Sequence, residues 1–233
     1  MPKSIVILTG AGISAESGIK TFRDVNGLWK NHRVEEVASP EGFATKPALV
    51  QEFYNQRRRQ VLSDEVKENA AHLALAKLEA EFDGDFLLVT QNVDDLHERA
   101  GSKSPVHMHG EILKKRCAKC DVVTEARDDL TTEDICADCG HTGSLRPHIV
   151  WFGEMPMEMQ QIQQSLESCD LFVSIGTSGH VYPAAGFVAL ASQAGAKTQM
   201  LNLESSQNEN AFDTSDYGLA TEIVPKFVEE LLH

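Results

Sequence analysis

Long hydrophobic runs are missing from this sequence: no apolar stretch approaches the roughly 20 residues that a membrane-spanning helix requires. The N-terminal run from Ser4 to Leu8 meets Gly10 before it reaches the length of a signal-peptide core, so a cytoplasmic location without a membrane partner is expected. Basic residues are scarce. Lys and Arg number 21 against 35 Asp and Glu, and the formal net charge of −14 repels nucleic acid and anionic surfaces over most of the exterior. The longest basic run, Arg57-Arg58-Arg59, is short and lies in a helix-like stretch, so no nucleic-acid partner is expected. Cysteines number only five, which in a cytoplasmic chain read as metal ligands or redox groups and not as a disulfide framework. Internal repeats and low-complexity tracts are absent as well. The 233 residues, 42% hydrophobic and 24% charged, exclude disorder and fibrous structure and suffice for one large α/β domain, alone or with a small appendage.

Four short apolar runs each end in a polar or glycine-rich turn: Ile5–Leu8 before TGAGIS, Phe86–Val89 before TQNVD, Leu171–Ile175 before GTS, and Thr198–Leu201 before NLE. Runs this short, separated by helix-like segments, predict buried parallel strands with crossover helices, a doubly wound α/β sheet. Ligands bind such sheets beyond the carboxyl ends of the strands, where all four polar clusters fall. A helix is predicted from the Asn69 cap through Leu73, Leu75, Leu78 and Phe82 to a stop at Asp83-Gly84. A second opens at Pro183, runs through Phe187, Leu190 and Ala194, and closes at Gly195. Near the C-terminus the pattern predicts a strand over Glu222–Val224 followed by a helix with Phe227, Val228, Leu231 and Leu232. From Gly110 to about Pro147 apolar runs vanish and charges crowd, which marks a small inserted module.

Several constellations carry chemistry. Glycines in Thr9-Gly10-Ala11-Gly12-Ile13-Ser14 would let the backbone approach a phosphate at a helix start, or would make a tight turn with no ligand; no acid-terminated strand follows about twenty residues on, as an ordinary dinucleotide fold requires. Cys117, Cys120, Cys136 and Cys139 have the C-x2-C-x15-C-x2-C spacing of a closed, structural zinc site, with a redox-active pair as the rival reading. Cys169 reads as a core thiol. His107 and His109, two apart, could share a metal, or His109 could be a buried histidine satisfied by backbone. Tyr54 and Arg57 share a helix face, so a phenol and a guanidinium could meet one carboxylate. The alternative is an aromatic in the core beside a solvated arginine face.

The motifs GAGIS-x-ES-GI-x-TFR, TQN-x-D-x-LH-x-x-AG, HG, the cysteine quartet, FGE, GTS and NLE follow one another along essentially the whole chain. In this the sequence resembles the sirtuin family of NAD-dependent protein-lysine deacylases, and most nearly its bacterial CobB-type branch of class III. The resemblance implies a Rossmann-like doubly wound parallel sheet with a small zinc-binding module and a helical insertion. The large lobe would cover approximately 1–31, 69–109 and 148–233, the insertion approximately 32–68 and the zinc module approximately 110–147. It further implies that NAD, as co-substrate, contacts Gly10, Ala11, Gly12, Ser14, Glu16, Thr21, Phe22, Arg23, Trp29, Gln91, Asn92, Val93, Asp94, Gly176, Thr177, Ser178, Asn202, Leu203, Glu204 and Ala220. His109 becomes the general base, with Asn92 and Asp94 orienting ribose and nicotinamide. One zinc ion sits structurally on the four cysteines. Tyr54 and Arg57 bind a succinyl or malonyl carboxylate. Val150, Phe152, Gly153, Glu154 and Val181 lie in two strands that clasp an extended acyl-lysine peptide.

The activity implied is removal of acetyl and acidic acyl groups from protein lysines, giving nicotinamide and O-acyl-ADP-ribose. A protein ADP-ribosyltransferase and a non-catalytic NAD-sensing module are the alternatives. Val93 stands where many members have Ile. A monomer is expected. The chain begins almost at its first strand, so the N-terminal extension of some relatives is expected to be lacking.

Overall fold

The structure, a computed structural model, describes residues 2–19, 28–29 and 32–233, with the backbone alone at 28, 29, 32 and 34. In chain order the strands are β1 (Ser4–Thr9), β2 (Leu28–Trp29), β3 (His32–Arg33), β4 (Asp85–Thr90), β5 (Val106–His107), β6 (Gly110–Cys117), β7 (Val123–Glu125), β8 (Leu145–Ile149), β9 (Leu171–Ile175), β10 (Lys197–Asn202) and β11 (Thr214–Tyr217). The helices are α1 (Val34–Val37), α2 (Pro40–Thr45), α3 (Pro47–Val61), α4 (Ala70–Glu81), α5 (Leu96–Arg99), α6 (Met159–Leu166), α7 (Phe187–Gln193) and α8 (Ala220–Leu232), with a 3-10 helix over Ala11–Ser17.

Six strands form one parallel sheet in the order β11-β10-β9-β1-β4-β5. Because side chains alternate across a strand, β1 feeds two cores. Ile5 and Ile7 pack with Ala71, Leu75 and Leu78 of α4 and Val224 and Val228 of α8. Val6 and Leu8 face Ile162 and Leu166 of α6 and Phe187, Val188 and Ala191 of α7 on the other side. Helices thus cover both faces, the doubly wound arrangement that the four apolar runs predict. β6, β7 and β8 make a separate antiparallel sheet. The helical segment α1 to α3 packs a third core of Val37, Val50, Phe53 and Tyr54 against Ile112, Ile149 and Trp151.

Asn69 caps α4 as expected: its side chain accepts from the backbone of Ala71 and His72, while the Asn69 N–H donates to His72 Nδ1. Leu73, however, is exposed, and the buried stripe runs through Ala71, Ala74, Leu75 and Leu78. Pro183 is followed by one 3-10 turn, Ala184–Gly186, before α7 begins at Phe187. The C-terminal prediction needs correction. Glu222–Val224 is helical, part of an α8 that runs unbroken from Ala220 through Pro225 to Leu232, and the strand lies earlier at Thr214–Tyr217. β-branched Ile223 and Val224 suggest a strand locally, but packing of Val224, Phe227 and Val228 on the sheet decides for helix.

Candidate active site

The carboxyl ends of β1, β9, β10 and β4 are laced together by their own turns. Gly10 N–H donates to Ile175 O, Gly12 N–H to Gly176 O, Gly176 N–H to Leu201 O and Gln91 N–H to Thr9 O, all at 2.9 Å. The glycines are required by this closeness. A Cβ on Gly12 would lie 2.6 Å from Gly176 Cα, and one on Gly10 would lie 2.8 Å from Gly176 O. The amides of Gly10 and Gly12 are therefore engaged within the fold. Asn202 Nδ2 donates to Thr177 O at 2.8 Å, fixing the turn that also carries Gly176 and Ser178. Leu203 and Glu204 follow on the exposed rim of the same end, and Ala220 opens α8. The Glu16 carboxylate is bound to the N–H and hydroxyl of Thr221 at the start of α8. Of the remaining expected cofactor contacts, Thr21, Phe22 and Arg23 lie outside the described residues, and Trp29 is placed only by its backbone in β2.

Behind these turns lies a buried polar network. Ser14 Oγ donates to Asp94 Oδ2 at 3.3 Å and receives Asn92 Nδ2 at 3.0 Å. His72 Nδ1 is the acceptor from Asn69, so its Nε2 carries the proton and donates to Ser14 Oγ, at 3.4 Å. Thr9 and Thr90 hydroxyls join at 2.8 Å, with His97 Nε2 at 3.0 Å from Thr9. Asp94 is 5% exposed, and burial pushes its carboxyl up to about 6. His97 is the histidine of the TQN-x-D-x-LH motif, which by itself assigns it no role, and His72 does not stand out in the sequence as part of a site. The one available signal is the Asn69-x-x-His72 spacing of a capping box, which places that histidine at a helix start facing the glycine turn.

His109 and His107 each reach one carbonyl of the loop after β4. His109 Nδ1 lies 3.1 Å from Gln91 O, and His107 Nδ1 lies 3.1 Å from Asn92 O. A carbonyl can only accept, so both Nδ1 atoms carry hydrogen. Burial holds the His109 imidazole below its ordinary value against the opposing pull of Gln91, so at neutral pH its Nε2 bears a lone pair. His107 goes the other way. Burial opposes its charge, but a 2.7 Å bond to Glu98 prevails and raises its pKa. The two histidines differ in chemistry, and a shared metal does not describe them.

Val150 N–H donates to His109 O at 2.9 Å, which sets the segment after β8 beside that imidazole. Residues 150–154 and 179–183 form turns and bends and not the two strands expected, with Gly153 at φ +91° and Gly179 at φ +72° breaking the extended backbone. Phe152 is exposed, whereas Glu154 is held by Arg146, Arg116 and the Trp151 N–H. Val181, in the second turn, accepts from the Ala185 N–H.

On α3, Tyr54 and Arg57 are both buried, and so is Arg58; Arg59 alone of the basic run is exposed. The solvated arginine face is thereby ruled out for two of three positions. Burial lowers the Arg57 guanidinium to about 10, still protonated at neutral pH, and raises the Tyr54 phenol far above its usual value. The four cysteine Sγ atoms lie within 4.8 Å of one another, with Cys117–Cys139 at 3.6 Å and Cys120–Cys136 at 3.7 Å. Such spacing matches the edge, about 3.8 Å, of a tetrahedron with metal–sulfur bonds near 2.3 Å. The described residues contain no helix long and apolar enough to cross a membrane.

A family model described as the Sir2 family matches residues 10–183. The chain is 60% identical over 228 residues to an NAD-dependent protein deacylase of Pasteurella multocida (strain Pm70), covering 98% of this chain and 97% of the relative. Among solved structures, a Sir2 homologue in complex with NAD superposes with a TM-score of 0.89 at 38% identity, over 100% of this chain and 91% of the other. A Sir2 protein bound to acetylated peptide gives a TM-score of 0.83 at 28% identity, with 98% and 93% covered. Glycine turn, buried Ser14–Asp94 network, lone-pair histidine and cysteine tetrad thus lie on a shared scaffold: the chain belongs to the Sir2 family.

Proposed function

We propose that the protein removes acyl groups from the lysine side chains of other proteins with consumption of NAD, releasing nicotinamide and O-acyl-ADP-ribose. NAD is the co-substrate and brings an electrophilic ribose carbon with nicotinamide as leaving group; no hydride moves. The observation that carries the reading is the 3.1 Å contact between His109 Nδ1 and the carbonyl oxygen of Gln91. With Nδ1–H committed to Gln91 O, its Nε2 could take the proton of a ribose hydroxyl as that oxygen bonds the acyl carbon, the amide C–N bond breaking to leave lysine as the free amine and one water being consumed overall. Asn92 and Asp94, fixed by Ser14, orient the ribose and nicotinamide. The names of the Pasteurella relative and of the NAD- and peptide-bound homologues support this reading.

Two finer assignments accompany it. Tyr54 and Arg57 accept succinyl and malonyl carboxylates in addition to the acetyl substrate, because a buried cation in an acidic chain gains most from a buried anion. Cys117, Cys120, Cys136 and Cys139 hold one structural zinc, which would tie together a module with few apolar residues of its own. The division into a large lobe, a helical insertion and a zinc module is proposed with the bounds given above. The reading further takes the protein as a cytoplasmic monomer acting on extended acyl-lysine segments, and its net charge of −14 disfavours nucleic-acid and anionic membrane partners. The test is incubation with NAD and matched acetyl-, succinyl- and malonyl-lysine peptides, following nicotinamide release and product masses. Deacylated peptide and O-acyl-ADP-ribose are expected. A peptide that gains ADP-ribose indicates a transferase instead, and NAD binding without nicotinamide release indicates a sensing module.

A further inference from the structure

The indole of Trp151 is held from several sides beside helix α3, with its N–H directed at Tyr54. It is 2% exposed, and Tyr54 is 1% exposed. Its backbone N–H donates to Glu154 Oε2 at 2.8 Å. The Arg146 guanidinium lies over its ring at 3.3 Å and is itself held by both Glu154 oxygens, at 2.6 and 3.0 Å. Phe43 packs against the ring, with centroids 5.4 Å apart. What this cradle presents is one polar atom: the indole N–H, donating to Tyr54 Oη at 2.9 Å.

A phenol oxygen that accepts from a fixed donor has its own proton turned elsewhere. Among the described residues the hydrogen bond recorded for Tyr54 Oη is the one from Trp151, so the phenol's own hydrogen remains a buried donor that a ligand carboxylate can satisfy. We propose that Trp151 is a positioning residue for acyl selectivity, setting the direction of the Tyr54 O–H so that it meets the carboxylate of an acidic acyl group. This rests on the assignment of Tyr54 to the acyl site. Phenylalanine at 151 would keep the apolar packing and the stack under Arg146 but lose the donor.

The experiment measures kcat and KM for succinyl- and acetyl-lysine peptides in Trp151→Phe, Tyr54→Phe and the double variant. A second probe is benzothienylalanine placed at 151 by codon suppression, isosteric with tryptophan but without the N–H, which avoids refolding an altered core. The succinyl-to-acetyl ratio of kcat/KM should fall about three- to tenfold in both single replacements at 151, through succinyl KM and not kcat. In the Tyr54→Phe background the same replacements should change the ratio by less than about 1.5-fold, since the acceptor is gone. A ratio that drops in Tyr54→Phe but is unmoved by benzothienylalanine overturns the role of Trp151 while leaving the acyl site standing. A ratio unmoved by Tyr54→Phe overturns both. Equal losses on the two peptides would make Trp151 a packing residue only.

Discussion

Asp94→Asn should make the protein more stable and less active, with a pH signature. The buried carboxyl has its pKa raised by burial from 3.8 to about 6. The native state therefore binds a proton more tightly than the unfolded chain, and stability declines as pH rises through that window, levelling off above about 7. A shift of about two units corresponds to roughly 3 kcal/mol of penalty for the ionised form, with about 1.4 kcal/mol of it developing between pH 5 and 8. Asparagine never carries the charge. Its carbonyl oxygen keeps the bond from Leu96 N–H, but Nδ2 cannot accept from the Ser14 hydroxyl, a loss of about 1 kcal/mol. At pH 8 the variant should gain about 2 kcal/mol, and the gain should shrink by about 1.4 kcal/mol at pH 5. Urea denaturation of both proteins at pH 5, 6.5 and 8 measures the difference, in which titrations common to both cancel. Nicotinamide release should meanwhile fall sharply, the trade between activity and stability expected where a charge is buried for chemistry. A stability difference that is flat with pH, or that grows toward acid, would refute the argument.

Other outcomes are as definite. His109→Ala should abolish nicotinamide-coupled deacylation of every acyl peptide, and in the wild-type enzyme the acid limb of kcat/KM should lie below pH 6.5, since burial depresses that imidazole. Arg57→Met should lower the succinyl-to-acetyl ratio of kcat/KM at least tenfold on the order expected for a lost charge-assisted pair, and equal losses would remove Arg57 from acyl recognition. Cys136→Ser should yield protein that lacks zinc by elemental analysis and is insoluble or unfolded; a soluble, active, metal-free protein would contradict the structural site. Asn55→Ala should destabilise by about 2–3 kcal/mol in urea, because Asn55 pairs with both the N–H and the C=O of Leu130 across the α3–module junction.

The amino-acid sequence by itself determined the sheet and the edge along which its polar turns gather. Four strands apolar on both faces can only be buried between helices, and the polar turns at their carboxyl ends must then fall along one edge. Cysteine spacing was likewise legible, because two C-x-x-C pairs name their chemistry without reference to the fold. Local pattern failed at Glu222–Val224, where β-branched residues in a helix are held by packing on the sheet. It also could not separate the two histidines of β5 and the turn after it: Glu98, nine residues away, raises the pKa of His107, whereas burial lowers that of His109. Only tertiary structure decided which arginines of the run at 57–59 are buried, and that Trp151 faces Tyr54 across 97 residues of chain. Periodicity reports which way a side chain points from its own element; what it meets there depends on elements distant in sequence, and pKa values and hydrogen-bond roles arise from those meetings.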